Sequence, residues 1–197
     1  MSNTGIVILA AGNSSRMGQP KQLMKYKNKT FLQHIIDESK RAELDPVICV
    51  TGYEAEKIAK TINGTDITLV YNEKWREGMG TGISAGLKEL IFSDFDSVIL
   101  AVSDQPHVSA ELFESMRVLM DQSGKGIVAS SYSGTLGTPV LFAKKYFDQL
   151  ESLSGDQGAK SIVKMHMADV CTIEFEKGGI DIDTKEDYDR LISEIKS

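Results

Sequence analysis

The sequence predicts a three-layer α/β/α fold built on a mostly parallel sheet. Three observations carry that expectation. Seven apolar runs of strand length recur along the chain. Stretches with a helical period of apolar residues fall between them. Several of those stretches begin at a residue able to cap a helix. The first run is 6–10, and Thr30 then caps a helix that buries Phe31, Ile35 and Ile36. Runs at 47–51 and 67–71 come next, followed by a small-residue loop at 78–86 that leads into a helix burying Leu87, Leu90 and Ile91. After the run at 98–102, Ser109 caps a helix that turns Leu112, Phe113, Met116, Leu119 and Met120 to the core. The remaining strands are 126–130, 139–142 and 170–175. Thr184, with Asp187 three residues later, resembles a capping box and opens a helix burying Tyr188, Leu191, Ile192 and Ile195.

The 197 residues, 41% hydrophobic and 25% charged, are enough for one domain with a proper core and exclude general disorder. No internal repeat, low-complexity tract or Pro/Gly/Ser linker divides them, so 1–197 reads as a single domain. Lys plus Arg number 22 against 28 Asp plus Glu, a net charge of −6, with pI ≈ 5.1. That is the wrong sign for nucleic acid or an anionic membrane as the main partner. An anionic ligand must meet a local positive pocket. The apolar stretch 6–11 is far short of the roughly 18 residues a membrane helix needs, and no basic segment precedes it. A cytoplasmic location is therefore expected. Cys49 and Cys171 are far apart in apolar runs and read as reduced, packed thiols. His34, His107 and His166 lack metal-ligand spacing, so zinc chemistry is not expected.

In an open α/β sheet, ligands bind beyond the carboxyl ends of the strands. Three polar, glycine-bearing or turn-forming segments sit at such ends: 12–21, 78–86 and 103–107. In the first, Ala10, Ala11 and Gly12 let a ligand lie against the backbone, while Arg16 and Lys21 add two cations to an acidic chain. The combination suits a polyphosphate, cradled by turn N–H groups and neutralised by the cations. It is not a Walker A loop, because Gln19 stands where the lysine should be, nor a dinucleotide fingerprint, because Ser14 replaces the second glycine. Asp104, at the end of the run 98–102, is placed either to hold Mg²⁺ with substrate phosphates or to form a turn or helix cap. Asp181 and Asp183 share one face if their segment is extended, although Asp183 also simply precedes the capped helix. The residues 82–86 satisfy G-x-S-x-G, a hydrolase nucleophile elbow, but the elbow must leave a buried strand and 75–80 cannot form one.

The run Leu9-Ala10-Ala11-Gly12-Asn13-Ser14-Ser15-Arg16-Met17-Gly18-Gln19-Pro20-Lys21 closely resembles L-A-A-G-x-S-x-R-M-G-x-P-K, the signature of the MobA-like molybdenum cofactor nucleotidyltransferases. The resemblance continues through Asn72-Glu73-Lys74-Trp75, Gly78-Met79-Gly80 and Ser84, Asp104-Gln105-Pro106, Gly137-Thr138-Pro139, Gly155-Asp156-Gln157-Gly158-Ala159 and Asp181-Ile182-Asp183-Thr184. It implies a Rossmann-like nucleotidyltransferase fold. Within the family the sequence is most similar to the cytidylyltransferases, which join CMP from CTP to molybdopterin and release pyrophosphate. On that resemblance the nucleotide is held by Leu9, Ala10, Ala11, Gly12, Ser14, Ser15, Arg16, Met17, Gly18, Lys21, Asn72, Gly78, Gly80, Ser84 and Asp104. Lys21, Arg16 and Asp104 are its catalytic residues, and Asp104 with Asp183 binds Mg²⁺, Asp181 being the alternate. The acceptor falls to Gln105, Pro106, Gly137, Thr138, Pro139, Asp156, Gly158 and Lys160.

Lys160 departs from the arginine usual in this branch, keeping the charge and losing the bidentate fork, and Ser103 stands where glycine is common. Ala11 and Pro20 favour CTP over GTP by resemblance. The partners so implied are CTP and molybdopterin, with a molybdenum hydroxylase or its chaperone receiving the product. The alternatives are a GTP-using guanylyltransferase, a transferase acting on a sugar or alditol phosphate, and a non-catalytic module that binds nucleotide and delivers cofactor.

Overall fold

The computed structural model describes residues 3–13, 20–90, 95–180, 182 and 184–196. Strand β1 (Thr4–Ala10) leads through a small hairpin, β2 (Lys25–Tyr26) and β3 (Lys29–Thr30), into α1 (Phe31–Arg41) and β4 (Val47–Thr51). Helix α2 (Ala55–Thr61), β5 (Thr68–Tyr71), α3 (Met79–Leu90) and β6 (Ser97–Val102) follow, then α4 (Ala110–Ser123), β7 (Ile127–Tyr132) and β8 (Thr135–Ala143). Two short helices, α5 (Phe147–Glu151) and α6 (Lys160–Met165), precede β9 (Val170–Glu174) and α7 (Lys185–Lys196). Seven strands form one sheet in the order β5-β4-β1-β6-β8-β7-β9. All are parallel except β8, which is antiparallel to both its neighbours. The mostly parallel sheet expected from the sequence is the one observed.

Alternation along each strand divides the core in two. Ile6, Ile8 and Ala10 of β1 pack with Leu32, Ile35 and Ile36 of α1 and with Phe113 and Met116 of α4. Val7, between them, faces the other way and joins Ile83, Leu87 and Leu90 of α3 with Ile162 and Val163 of α6. A third cluster of Met24, Tyr26, Phe31, Ile182 and Leu191 seats the small hairpin and α7 against α1. Cys49 is fully buried, and burial pushes its thiol up to about 12. Both cysteines are free. Among the described residues no helix is long and apolar enough to cross a membrane.

Three helix starts form as their sequences dictate. Thr30 and Gln33 make a reciprocal capping box, Ser109 Oγ accepts from Leu112 N at 3.4 Å, and Thr184 and Asp187 bond each other's backbone N–H groups. The chain departs from expectation in two places. The predicted loop at 78–86 is helical from Met79, so Gly80, Gly82, Ser84 and Gly86 lie inside α3. At Gly86 the helix lies so close on the sheet that a Cβ would stand 2.4 Å from Val7 Cγ1. Ile91 lies outside the described residues.

The second departure is a β7–β8 hairpin turning at Ser133 and Gly134, both at positive φ (49° and 71°) as a two-residue primed turn requires. Pro139 lacks the N–H that a ladder needs, and the pairing steps from Ala129↔Val140 to Ser130↔Gly137, leaving Thr138 and Pro139 out of register. Ser130 Oγ donates to the Pro139 carbonyl at 2.8 Å. Strand β8 therefore resumes before the proline and is longer than the 139–142 that periodicity suggested.

Glu38 carries no signal in the sequence, yet it joins two helices. Its side chain is buried, and Oε2 accepts Ala110 N at 3.0 Å at the first residue of α4, while Oε1 meets Arg41 and, at 3.5 Å, His34 Nδ1. Burial lowers the His34 pKa from its ordinary value, which favours the neutral ring here. Glu38→Ala leaves the α4 N–H without its charged acceptor and is expected to lower the unfolding free energy by about 2 kcal/mol, measured by urea denaturation. On the other side of the sheet, Lys145 (2.7 Å) and Tyr146 (2.6 Å) bond Asp169, first Lys145 and then Tyr146 drawing its pKa down to about 2. The unfolded chain takes up this proton first, so stability from Asp169 is present above about pH 4 and is lost as pH falls toward 2. Asp169→Asn is expected to flatten that part of the acid denaturation profile.

Candidate active site

The strand order reverses beside β1. From β1 the chain moves to β4 and on to β5, then crosses through α3 to β6 on the opposite side of β1. The turns leaving β1 and β6 diverge, and the crevice between them is where an open α/β sheet receives its ligand. A cleft of about 500 Å³ lies there. Leu9, Ala11, Gly12 and Lys21 line it from the β1 side, Ser103 and Asp104 from β6, and Asn72, Trp75, Arg76, Gly78 and Met79 from the segment joining β5 to α3.

Lys21 and Asp104 meet across this crevice, with Nζ 3.8 Å from Oδ2. Their side chains are 14% and 39% exposed, so the carboxylate is the more open of the two to an incoming ligand. Beside them a Cβ at Gly12 would meet nothing within 4 Å. Packing does not demand that glycine, and its backbone stands open to close approach. Ala10 is buried and contributes its backbone: Gln22 Nε2 donates to the carbonyls of Ala10 (3.0 Å) and Gly12 (3.3 Å), fixing the turn from behind. Nothing in the sequence marks Gln22, since an amide beside Lys21 gives no sign of the carbonyls it reaches. Ser14, Ser15, Arg16, Met17 and Gly18 lie outside the described residues.

Asn72 lines the cleft but its amide is already engaged, donating to Thr81 Oγ1 at 2.9 Å and accepting from Lys74 N at 3.0 Å. It therefore shapes the 72–78 turn. Gly78 has φ +119°, and a Cβ there would sit 2.4 Å from the Gly155 carbonyl. Gly80 N donates to that carbonyl at 2.9 Å, and a Cβ at Gly80 would crowd Ser154 N and Gln157 O. Both glycines bring α3 onto the 154–158 loop, and Asp156 lies against Gly78. Ser84 is within α3 and does not line the cleft. Its helical setting also removes the strand-to-helix elbow that a hydrolase nucleophile needs.

The residues expected to hold the acceptor divide. Gly137, Thr138, Gly158 and Lys160 line a second, mainly apolar cavity of about 90 Å³ that shares Leu9 and Met79 with the main cleft. Lys160 Nζ donates to Thr135 Oγ1 at 2.6 Å. Gln105 does not line that cavity; its Nε2 donates to the carbonyls of Thr138 (2.9 Å) and Gly178 (3.1 Å), and Pro106 beside it is buried. The bulge at Thr138 explains this bond, because it frees the carbonyl that Gln105 takes up. Buried Gln105 Oε1 has no partner among the described residues. Pro139 is confined to the bulge, its carbonyl taken by Ser130.

Among the described residues no group of three or more His, Cys, Asp or Glu side chains could hold a metal ion. Asp183 and Asp181 lie outside the described residues. A single hard carboxylate opening on a phosphate-sized cleft does fit Mg²⁺, which takes one or two carboxylates and completes its shell with water and substrate phosphates. His34 and His107 are packing groups, both edge-on to Tyr26.

A glycine turn, a lysine and a carboxylate converging at the switch point of a doubly covered sheet define a phosphate-handling α/β protein. The chain belongs to the MobA-like NTP transferase domain family, whose sequence pattern matches residues 6–170. It is a nucleotidyltransferase of that family. It is 26% identical over 196 residues to the purine catabolism protein PucB of Bacillus subtilis, covering 94% of each chain. The crystal structure of Rv0371c from Mycobacterium tuberculosis superposes with a TM-score of 0.79 at 28% identity, covering 98% of this chain and 99% of that one. A manganese complex of Rv0371c superposes with a TM-score of 0.73 at 26% identity over the same shares.

Gln22→Ala would remove the amide behind the β1 turn and leave the Ala10 and Gly12 carbonyls without it. It is expected to cost about 1–2 kcal/mol in urea unfolding and to weaken nucleotide binding, read by equilibrium dialysis.

Proposed function

We propose that the protein transfers CMP from CTP to the terminal phosphate of molybdopterin, giving molybdopterin cytosine dinucleotide and pyrophosphate. The observation that carries this reading is the convergence of Lys21 and Asp104 on the open Gly12 turn. The acceptor phosphate is already an anionic nucleophile, so the chain has to position two repelling anions and stabilise the departing pyrophosphate. Turn N–H groups around Ala11 and Gly12 receive phosphate oxygens. Lys21 neutralises the charge that develops on the leaving group, with Arg16 as the second cation. Mg²⁺ held by Asp104 and Asp183 would supply further positive charge to the phosphate oxygens. The manganese complex of Rv0371c supports a divalent ion in this role.

In this reading the acceptor approaches from the side of the second cavity, which Met79, Gly137, Thr138, Gly158 and Lys160 border. CTP is favoured over GTP by Ala11 and Pro20, on resemblance alone. A molybdenum hydroxylase or its chaperone would receive the product; the relative PucB is named as a purine catabolism protein.

Pyrophosphate release is the direct test. It should require CTP, Mg²⁺ and molybdopterin together, and release with GTP in place of CTP would overturn the donor. Lys21→Ala and Asp104→Ala are each expected to lower turnover by about a hundredfold or more while the thermal unfolding profile stays close to that of the parent. Undiminished turnover in either variant would remove the proposed role.

A further inference from the structure

Trp75 and Arg76 form a wall of the cleft that the reaction described so far does not use. Trp75 packs over Gly52, where a Cβ would stand 2.4 Å from Trp75 Cβ, and Tyr53 backs it at 5.7 Å between ring centroids. The indole is thereby held in place. Arg76 Cζ lies 4.3 Å from the Trp75 ring, a cation–π distance, and no carboxylate pairs with Arg76 among the described residues. Stacking occupies a face of a guanidinium and leaves its in-plane N–H groups for hydrogen bonds. Both side chains line the cleft.

The sheet order decides which end of a nucleotide they meet. Asp104 follows β6 and Arg76 follows β5, on opposite sides of β1. The phosphates belong at Lys21 and Asp104, so the base of an extended nucleotide points toward β5, where the aromatic wall stands. We infer that Arg76, steadied on Trp75, reads the base of the donor nucleotide. A guanidinium fork needs two adjacent acceptors. Cytosine offers O2 and N3; uracil, of the same size, turns N3 into an N–H donor and breaks the match. The inference rests on the reading of the cleft as a CTP site and adds the group that selects cytosine.

Binding of CTP and UTP, each with Mg²⁺ and without any acceptor, tests it by calorimetry on the parent protein, Arg76→Ala and Arg76→Lys. The side chain is exposed, so both variants should fold. The parent is expected to favour CTP about tenfold, the discrimination of one good bidentate contact. Arg76→Ala should bring the ratio near one by weakening CTP, and Arg76→Lys, a point charge without the fork, should not restore it. Equal losses for both nucleotides would make Arg76 a phosphate contact and overturn the inference. An unchanged ratio in Arg76→Ala, or a parent that does not prefer CTP, would overturn it as well. A parent that selects CTP through Arg76 but transfers nothing to molybdopterin would remove the acceptor reading and leave this one standing; binding of neither nucleotide would remove both.

Discussion

Strand β1 is the constraint on which the rest depends. It is paired on both edges and buried on both faces, so its residues are fixed by four neighbours at once: β4, β6 and the two helical layers. A strand so enclosed has no freedom to shift register, because a one-residue slip would carry Ile6 and Ile8 to the α3 side and Val7 to the α1 side. Its carboxyl end is therefore a fixed point. The Gly12 turn, the Gln22 amide behind it and the Lys21 side chain all take their positions from that end, and Asp104 takes its own from the adjacent end of β6.

The two cores explain why the sequence was readable at the level of layers. Strands buried on both faces must be apolar throughout, and those runs stand out. Helices need capping groups, and Thr30, Ser109 and Thr184 supply them by local chemistry that needs no tertiary partner. What the sequence hid was whatever depends on distant contact. Small residues at 78–86 look like a loop because glycine is a poor helix former; only the nearness of Val7 and of the 154–158 loop makes glycine the residue that a packed helix requires. The β7–β8 hairpin had a local cue in Ser133-Gly134, but the proline in β8 concealed the length of the strand.

The candidate site was legible in part for the same reason. Gly12 and Lys21 lie in the segment that follows β1, and Asp104 in the turn that follows β6, so all three could be found as polar or glycine positions beyond an apolar run. Gln22, Trp75 and Arg76 act through groups far along the chain or through a ring face, and residue type alone does not announce this. Gln105 shows the converse. It belongs to a readable motif, yet its Nε2 donates to the carbonyls of Thr138 and Gly178 and so joins three segments of the chain.

The contact between Gly78, Gly80 and the 154–158 loop has a broader meaning. Gly80 N donates to the Gly155 carbonyl there, and a Cβ at Gly78 would strike that carbonyl and the Asp156 side chain, so backbone contact sets how near α3 lies to the loop. Any side chain at either glycine would act as a wedge, levering the first turn of α3 off the loop that carries Gly158, a residue bordering the second cavity.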